Sequence, residues 1–380
     1  MPRTQTPGLR LEPMEGRLTP ADVAVLSAQL YTPTTVSFTF LTTGDPGPFE
    51  VGVYRSADAV FDASDLRVTS RVVSIASAPS GTIGAVALPG EMPIDPARPH
   101  VLVVADPNDA LAEDDEGNNL GSFRKLALGV VTHGFQPGGV IASWVQSTAD
   151  ALLAKGYAAA LAYDWASDSL KQVSGMTVLH GSIMAGQIRV VADAIGTLPT
   201  DVVDVHLIGH SRGAVVISQA AQSLSAGPGP RELQLGYLKT TFLDPHPARN
   251  RASLYTGLAE LYNGTGVSTV GGFSFDPGSS LARSTAVAQL QFQAAVNDPR
   301  VAIPANVDAA ESIYQRLPWY VPTTPLEQAT RFNFWADRPD EIANPYGRPF
   351  TALNLATVPG AETVGHTAVQ LWYLGQLLAP

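Results

Sequence analysis

The stretch Val205-His206-Leu207-Ile208-Gly209-His210-Ser211-Arg212-Gly213-Ala214 decides how the rest of the chain is interpreted. An apolar run leads into a Gly-x-Ser-x-Gly motif, and a pattern typical of a helix follows over 214–224. Two glycines at this spacing let a strand and a helix crowd together while the serine hydroxyl projects above the sheet. The motif therefore predicts a nucleophile at Ser211. A strand-to-helix turn with a solvated serine is the alternative.

Composition excludes several classes of protein. The chain has 380 residues, 45% hydrophobic and 15% charged, which is typical of a globular protein with one large or two medium domains. A net charge of -11 argues against a nucleic-acid partner, because phosphate backbones are bound by clustered Lys and Arg. Zero cysteines exclude disulfides, thiol nucleophiles and Cys-ligated metals. No apolar run approaches the roughly 20 residues needed to cross a bilayer.

The N-terminal third has the pattern of an antiparallel sheet. Residues 1–20 are polar and rich in Pro and Gly and predict a tail. Alternating apolar and polar residues over 36–40 and 49–54 flank a turn-rich segment, which predicts a hairpin. Further short strands follow at the spacing of a sandwich. We expect a small antiparallel β-sandwich domain over 21–125.

Two segments of this region resemble CARDB-type modules, the immunoglobulin-like sandwiches common in bacterial and archaeal extracellular proteins. They are Tyr54-Arg55-Ser56-Ala57-Asp58-Ala59-Val60-Phe61-Asp62 and the acidic stretch over 103–119. The resemblance implies an immunoglobulin-like fold and an extracellular location. The first eight residues lack the apolar core of a signal peptide. We therefore expect a secreted chain without its leader, with a cytoplasmic protein as the alternative.

The acidic stretch has two interpretations. Its Asp and Asn side chains suit the capping of turns. Calcium binding over 106–119 is the alternative, although the spacing does not match an EF-hand.

Beyond residue 125, apolar runs alternate with helical patterns, which is the sign of a mostly parallel sheet with flanking helices. The predicted class is α/β over 126–380, with a mostly parallel sheet. The stretch 247–338 is less regular and rich in glycine, and we interpret it as a cap or lid with one further strand near 302–309.

A serine nucleophile needs a base, a carboxylate that orients the base, and donors for the oxyanion. The chain has seven histidines, and elimination by position leaves His366, in a loop before the last predicted helix. Asp244 directly follows an apolar strand and is the candidate acid, with turn initiation before Pro245 as its other role. Asp308 and Asp337 are the reserve acids.

The segment His133-Gly134-Phe135 follows the first strand of the predicted second domain, where esterases carry an oxyanion loop. The backbone N–H groups of Phe135 and Arg212 are the expected oxyanion donors. A simple glycine turn is the alternative.

Four segments together resemble the lipase- and esterase-like branch of the α/β-hydrolase family: 131–135, 209–213, Leu243-Asp244-Pro245 and Gly365-His366-Thr367. The Leu-Asp-Pro acid is similar to that of pancreatic-type lipases. The resemblance implies a mostly parallel sheet of the α/β-hydrolase kind. It also implies a serine carboxylic-ester hydrolase, acting on lipids, other acyl esters or polyesters, without a metal or organic cofactor. A peptidase or thioesterase with the same triad is one alternative, and a non-enzymatic extracellular binding or adhesion protein is the other.

The substrate side is less determined. Arg212 stands where many lipases carry Leu or Met, and its side chain either pairs with a buried carboxylate or binds an acidic substrate group. Candidate substrate contacts are His133, Trp165, Trp319 and Tyr320. The aromatic residues fit a bulky acyl chain, and they fit a packed core or cap equally well. The sequence does not determine the oligomeric state.

Overall fold

A computed structural model describes most of the chain. The described residues are 21–44, 46–74, 82–136, 139–171, 173, 175–225, 234–247, 268–270, 273–275, 296–315, 342–358 and 369–379.

Fourteen strands and five helices lie in these ranges. The strands are β1 (Asp22–Thr32), β2 (Thr35–Thr43), β3 (Phe49–Ser56), β4 (Leu66–Val73), β5 (Thr82–Pro89), β6 (His100–Ala105), β7 (Leu120–Thr132), β8 (Ala159–Tyr163), β9 (Val202–His210), β10 (Gln234–Leu243), β11 (Ser268–Val270), β12 (Phe273–Phe275), β13 (Ala309–Tyr314) and β14 (Phe350–Asn354). The helices are α1 (Ser143–Ala154), α2 (Ala166–Ser169), α3 (Met176–Ile195), α4 (Gly213–Leu224) and α5 (Val369–Leu378).

The chain divides into two compact units. Unit 1 comprises 1–90 and 101–122, and unit 2 comprises 91–100 and 123–380. In unit 1, β2 pairs antiparallel with β1 on one side and β5 on the other, and β3 pairs antiparallel with β4. Strand β2 alternates strictly between buried and half-buried residues, because one of its faces packs on the core.

Unit 2 is built on parallel pairs. Strand β7 pairs in parallel with β8 and β9, β9 with β10, β10 with β13, and β13 with β14. Helices α3 and α4 contribute to one buried cluster, and α1 and α5 contribute to a second one. Both clusters take side chains from β7 and β9, so the sheet is covered on both faces. This explains why every residue of β9 is buried.

The predicted fold class, a mostly parallel α/β-hydrolase sheet beside a separate sandwich, is wrong. Nine strands form one mixed sheet in the order β14-β13-β10-β9-β7-β6-β3-β4, with β8 beside β7. The β3–β4 pair is antiparallel, and a separate three-stranded antiparallel sheet contains β1, β2 and β5.

The physical reason for the error lies in β7. Its first residues alternate in burial and its last six are all buried, so the sequence pattern changes in the middle of one strand. From the sequence alone, that change near residue 125 predicts the end of one sheet and the start of another. A pattern of burial reports which faces of a strand are covered, and it does not report which strands lie beside it.

Strand β13 lies inside the range assigned to the lid and somewhat later than the strand expected near 302–309. Most of 247–338 lies outside the described residues, and the lid itself stays a prediction. None of the helices in the described ranges has both the length and the hydrophobicity to cross a bilayer.

Candidate functional site

Ser211 occupies the sharp turn between β9 and α4. Its φ is +57°, a left-handed conformation that non-glycine residues rarely adopt. Two backbone hydrogen bonds hold the turn: Ser211 N donates to Leu243 O at 2.9 Å, and His246 N donates to Ser211 O at 3.1 Å. Strained backbone of this kind is often found where a side chain must be presented for function.

The two glycines of the motif are required by close backbone contacts. A Cβ atom on Gly209 would lie 2.5 Å from Gly213 O, and a Cβ on Gly213 would lie 2.5 Å from His133 O. The crowding of backbones that the motif predicts is therefore confirmed. A side chain at either position would push the turn out of place.

The loop after β7 lies directly against this turn. A Cβ atom on Gly134 would lie 2.6 Å from Ser211 Cβ, 2.9 Å from Ser211 Oγ and 2.9 Å from Arg212 N. The neighbouring Phe135 packs against the buried Val296. The loop and the turn thus bring the peptide segments of Phe135 and Arg212 to the same end of the sheet as the serine.

Asp244 follows the end of β10. Because β9 and β10 are parallel and His210 pairs with Leu243, Asp244 lies at the same end of the sheet as Ser211. It is fully buried and has a φ of +46°. Its backbone N donates to Ile313 O at 2.7 Å, and its Oδ1 accepts from Gln315 N at 3.3 Å. The carboxylate is therefore contacted by the backbone N–H of the residue that follows β13.

The reserve acid Asp308 does not lie at the sheet end that carries Ser211 and Asp244. It precedes β13, and its backbone N donates to Leu238 O, in the middle of β10 and five residues before Leu243. At about 3.3 Å per residue, the five residues from Leu238 to Leu243 span roughly 16 Å. Burial is the main cause of the raised pKa of Asp308, and a backbone hydrogen bond with Leu238 opposes it. Asp337, the other reserve acid, lies outside the described residues.

Three predicted site residues cannot be located. His366, Trp319 and Tyr320 lie outside the described ranges. The base and the aromatic substrate contacts stay predictions.

The side chain of His133 is buried. Its Nδ1 lies 2.9 Å from Gly134 O, and Trp165 N donates to its Nε2 at 3.3 Å. Burial lowers the pKa of His133, which favours the neutral ring with its proton on Nδ1. Asp164 Oδ1 also lies 3.3 Å from Nε2, a contact that would become an ion pair only on protonation. These contacts hold the loop, and a role in substrate binding stays a prediction.

Trp165 belongs to the core. Its ring stacks on His133 with centroids 5.9 Å apart, and its Nε1 donates to His133 O at 2.8 Å. The guanidinium of Arg212 lies 5.3 Å from the ring centroid on the indole face. From the sequence, Trp165 is a candidate for a substrate contact or a core residue. Its buried contacts are those of a core residue.

The Arg212 side chain pairs with Asp298. Its Nε donates to Asp298 Oδ2 at 2.7 Å and its Nη2 to Asp298 Oδ1 at 2.9 Å, and both side chains are buried. Nη1 donates to Ser169 O at 3.1 Å, and Thr177 Oγ1 donates to Asp298 Oδ1 at 3.2 Å. The interpretation of Arg212 as half of a buried ion pair is confirmed. The partner lies 86 residues away, and no local pattern marks it.

No group of three or more His, Cys, Asp and Glu side chains in the described part of the chain is arranged to hold a metal ion. This holds for the acidic segment 106–119, all of which is described.

No protein-family model and no curated protein matches the chain. Among solved structures, carboxyl esterase 2 from the fungus Tuber melanosporum is similar over 76% of this chain and 85% of its own, with 12% identity and a TM-score of 0.33. A β-D-glucuronidase of Dictyoglomus thermophilum is similar over 94% of this chain and 68% of its own, with 10% identity and a TM-score of 0.19.

A β-glucosidase from Kluyveromyces marxianus is similar over 27% of this chain, with 15% identity and a TM-score of 0.18. The match spans only 13% of the length of that enzyme. All three are hydrolytic enzymes, and TM-scores this low do not establish a shared fold.

Proposed function

We propose that the chain is a serine hydrolase of carboxylic esters that acts through an acyl-enzyme. The Oγ of Ser211 attacks the ester carbonyl while His366 takes the hydroxyl proton, and Asp244 holds the imidazole in the required tautomer. The proton then passes from His366 to the departing alcohol oxygen. Water, activated by the same histidine, attacks the acyl-serine, which releases the acid and restores the serine.

The oxyanion donors in this proposal are the backbone N–H groups of Phe135 and Arg212. The tight packing of the loop at Gly134 against the turn supports it, because a Cβ atom on Gly134 would lie only 2.9 Å from both Ser211 Oγ and Arg212 N. Donors fixed in place before the reaction stabilise developing charge without further reorganisation.

The observation that carries the proposal is the conformation of Ser211. A serine at φ +57°, on a glycine-flanked turn that follows a buried parallel strand, is an unfavourable arrangement for a residue with only a structural role. A buried carboxylate ends the neighbouring strand, with its Oδ1 bound by a backbone N–H.

Asp244 is the better acid on topological grounds. The candidate strand ends beside Ser211 are those of β10 and β13. Strand β10 is followed by Asp244, whereas β13 ends at Tyr314 and is followed by Gln315. Among the described residues, a carboxylate thus directly follows β10 and none follows β13.

Labelling with a fluorophosphonate, followed by peptide mass spectrometry, tests the nucleophile. We expect a single adduct at Ser211 in the wild-type chain and none in Ser211→Ala. Ser225→Ala is the matched control, because Ser225 is an exposed serine just after the end of α4. An unlabelled wild-type chain would leave the non-enzymatic alternative standing and overturn the proposal.

Turnover of p-nitrophenyl esters, peptide amides and acyl-CoA tests the reaction class. We expect ester cleavage, with Ser211→Ala, His366→Ala and Asp244→Asn each losing about 10⁴-fold or more in kcat. Preference for amides or thioesters would move the assignment to a peptidase or thioesterase. Loss of activity in His246→Ala with full activity in His366→Ala would show that the base is misassigned.

A further inference from the structure

A pocket of about 320 Å³ lies in unit 2, away from Ser211. Its lining includes Ile94, Tyr157, Tyr237, Lys239, Glu311 and Pro349. It also includes His206, five residues before Ser211 on β9, and at about 3.3 Å per residue the two lie roughly 16 Å apart along the strand. A ligand in this pocket would not contact the serine.

A series of hydrogen bonds with defined donors and acceptors connects side chains in the wall of the pocket. Thr241 Oγ1 donates to Glu311 Oε1 at 2.6 Å, which uses the one hydroxyl proton of the threonine. The contact of 2.7 Å between His206 Nε2 and Thr241 Oγ1 must then have the imidazole N–H as donor. His206 Nδ1 is left as the acceptor for Tyr157 Oη, 3.0 Å away.

This series of hydrogen bonds determines which groups in the pocket wall can accept a hydrogen bond from a ligand. Burial and, less strongly, the charge of Lys239 lower the pKa of His206 well below its ordinary value, so the ring is neutral. The phenol of Tyr157 donates inward, so its oxygen has acceptor capacity for a ligand. The wall thus offers a neutral acceptor beside one charged pair.

That charged pair is Lys239 with Glu311. Lys239 Nζ lies 2.9 Å from Glu311 Oε1, and the side chains are 31% and 26% exposed. The hydrogen bond from Thr241 and the ion pair with Lys239 both use Oε1. Oε2 and the remaining ammonium protons are therefore available for a ligand.

The pair has no net charge, which selects the class of ligand. An anion would be repelled by Glu311 and a cation by Lys239. A zwitterion would be attracted to both, but its two charges would have to leave water for partners that already neutralise each other. A hydroxyl group can donate to Glu311 Oε2 while a neighbouring hydroxyl oxygen accepts from Lys239 Nζ, and the ion pair stays intact.

We propose that this pocket is a binding site for a small uncharged polyol, such as one monosaccharide. The vicinal hydroxyls bridge Glu311 and Lys239, and Tyr237 with Ile94 and Pro349 supplies the apolar contact for the carbon skeleton. The volume lies at the lower end of the range, roughly 300–1,000 Å³, that is typical of small-molecule sites. A single sugar ring is the appropriate size.

Saturation-transfer NMR and calorimetry on the full chain test the site with glucose, galactose, xylose and inositol as probes. We expect at least one of them to bind. Lys239→Met is expected to weaken that binding about tenfold or more, because hydrogen bonds to charged groups contribute about 1.5–3 kcal/mol. Lys171→Met is the matched control, since Lys171 pairs with Asp168 outside the pocket and is 56% exposed. It should bind as the wild type does.

Two further variants make the outcome decisive. Tyr237→Leu should weaken binding without removing a charge. If both variants lose binding, the loss cannot be attributed to a folding defect caused by the broken ion pair. Ser211→Ala should bind normally, so this site can fail or succeed independently of the hydrolase proposal. The polyol site is overturned if no probe binds the wild type, if Lys239→Met and Tyr237→Leu bind normally, or if glycine and serine bind in place of the polyols.

Discussion

At the scale of single residues, Gly134 lies where the loop after β7 packs against the turn that carries Ser211. Alanine at this position would place its Cβ 2.6 Å from Ser211 Cβ and 2.9 Å from Arg212 N, and neither atom belongs to a flexible side chain end. We expect Gly134→Ala to shift the loop and reduce fluorophosphonate labelling of Ser211 at least tenfold.

Gly186→Ala is the matched control for that substitution. Gly186 lies inside α3, and an added Cβ would meet no atom within 4 Å. Alanine in a helix interior is more favourable than glycine by about 1 kcal/mol, so this variant should label normally and unfold at a slightly higher temperature. Equal labelling of the two variants would contradict the predicted contact.

The Arg212–Asp298 pair determines a second prediction at this scale. Asp298→Ala leaves the guanidinium of Arg212 buried without the carboxylate that it contacts at 2.7 and 2.9 Å. Removing one member of a buried pair typically costs about 3–5 kcal/mol. Urea denaturation should show a loss of this size in the free energy of unfolding.

An exposed pair provides the comparison. Arg98 Nη1 lies 3.1 Å from Asp95 Oδ2, and the two side chains are 42% and 26% exposed. Asp95→Ala is expected to cost less than about 1 kcal/mol, because exposed ion pairs contribute little. If both variants lose the same stability, Asp298 does not have the structural role assigned to it.

A local sequence pattern identifies some residues of the candidate site and not others. The glycines around Ser211 can be recognised because they belong to one five-residue motif, although the backbone atom that requires Gly213 is His133 O, 80 residues earlier. Asp298 is not visible, since its partner is 86 residues away and nothing near it is periodic. Gln315, whose backbone N–H binds Asp244, is likewise found only once β13 is placed beside β10.

At the scale of secondary-structure elements, the strand before Ser211 was predictable and the composition of the sheet was not. The expected strand over 202–209 is β9, which ends one residue later. Its apolar run reflects burial on both faces, a local property of the sequence. The continuation of the sheet through β7 to β6, β3 and β4 depends on pairing between distant segments, which a burial pattern does not encode.

The connection between β6 and β7 carries the third prediction. Burial is the largest cause of the raised pKa of Glu113, which is about 7, and the carboxylates of Glu116 and Asp106 add to it. The ordinary value is 4.5, so between pH 4.5 and 7 the folded chain binds more protons at this site than the unfolded chain. The contribution of Glu113 to stability therefore falls as pH rises through this window.

Glu113→Gln should remove that dependence. We expect the unfolding temperature of the wild type to fall more between pH 5 and pH 8 than that of Glu113→Gln, as measured by circular dichroism. Asp114→Asn is the control, since Asp114 is the exposed neighbour. A pH dependence that is the same in the wild type and in Glu113→Gln would assign the effect to other groups.

At the scale of the whole molecule, neither unit is continuous in sequence. Residues 91–100 belong to unit 2 although the residues on both sides of them belong to unit 1. Within unit 2, Lys125 Nζ donates to Met92 O at 2.7 Å and lies 3.2 Å from Asp204 Oδ1, with both charged side chains buried. Met92 is also buried. The predicted second domain, 126–380, would lack this segment and the lysine.

We therefore expect a fragment of residues 126–380 to be much less stable than the full chain. Its Asp204 would be left buried opposite no lysine, at a typical cost of about 3–5 kcal/mol, and the contacts of Met92 would be lost as well. Urea denaturation of the fragment, beside full-length Lys125→Met, measures the two effects. The substitution alone should reproduce a large part of the loss.

The double variant Lys125→Met/Asp204→Asn identifies the cause of that loss. It removes both charges and keeps a side-chain oxygen that can accept from Tyr237 N, which donates to Asp204 Oδ1 at 2.8 Å. Replacing both partners of a buried pair is far less costly than removing one, so the double variant should recover stability relative to Lys125→Met. A fragment as stable as the full chain would show instead that 126–380 is complete, and that residues 91–125 add nothing to the unit that contains Ser211.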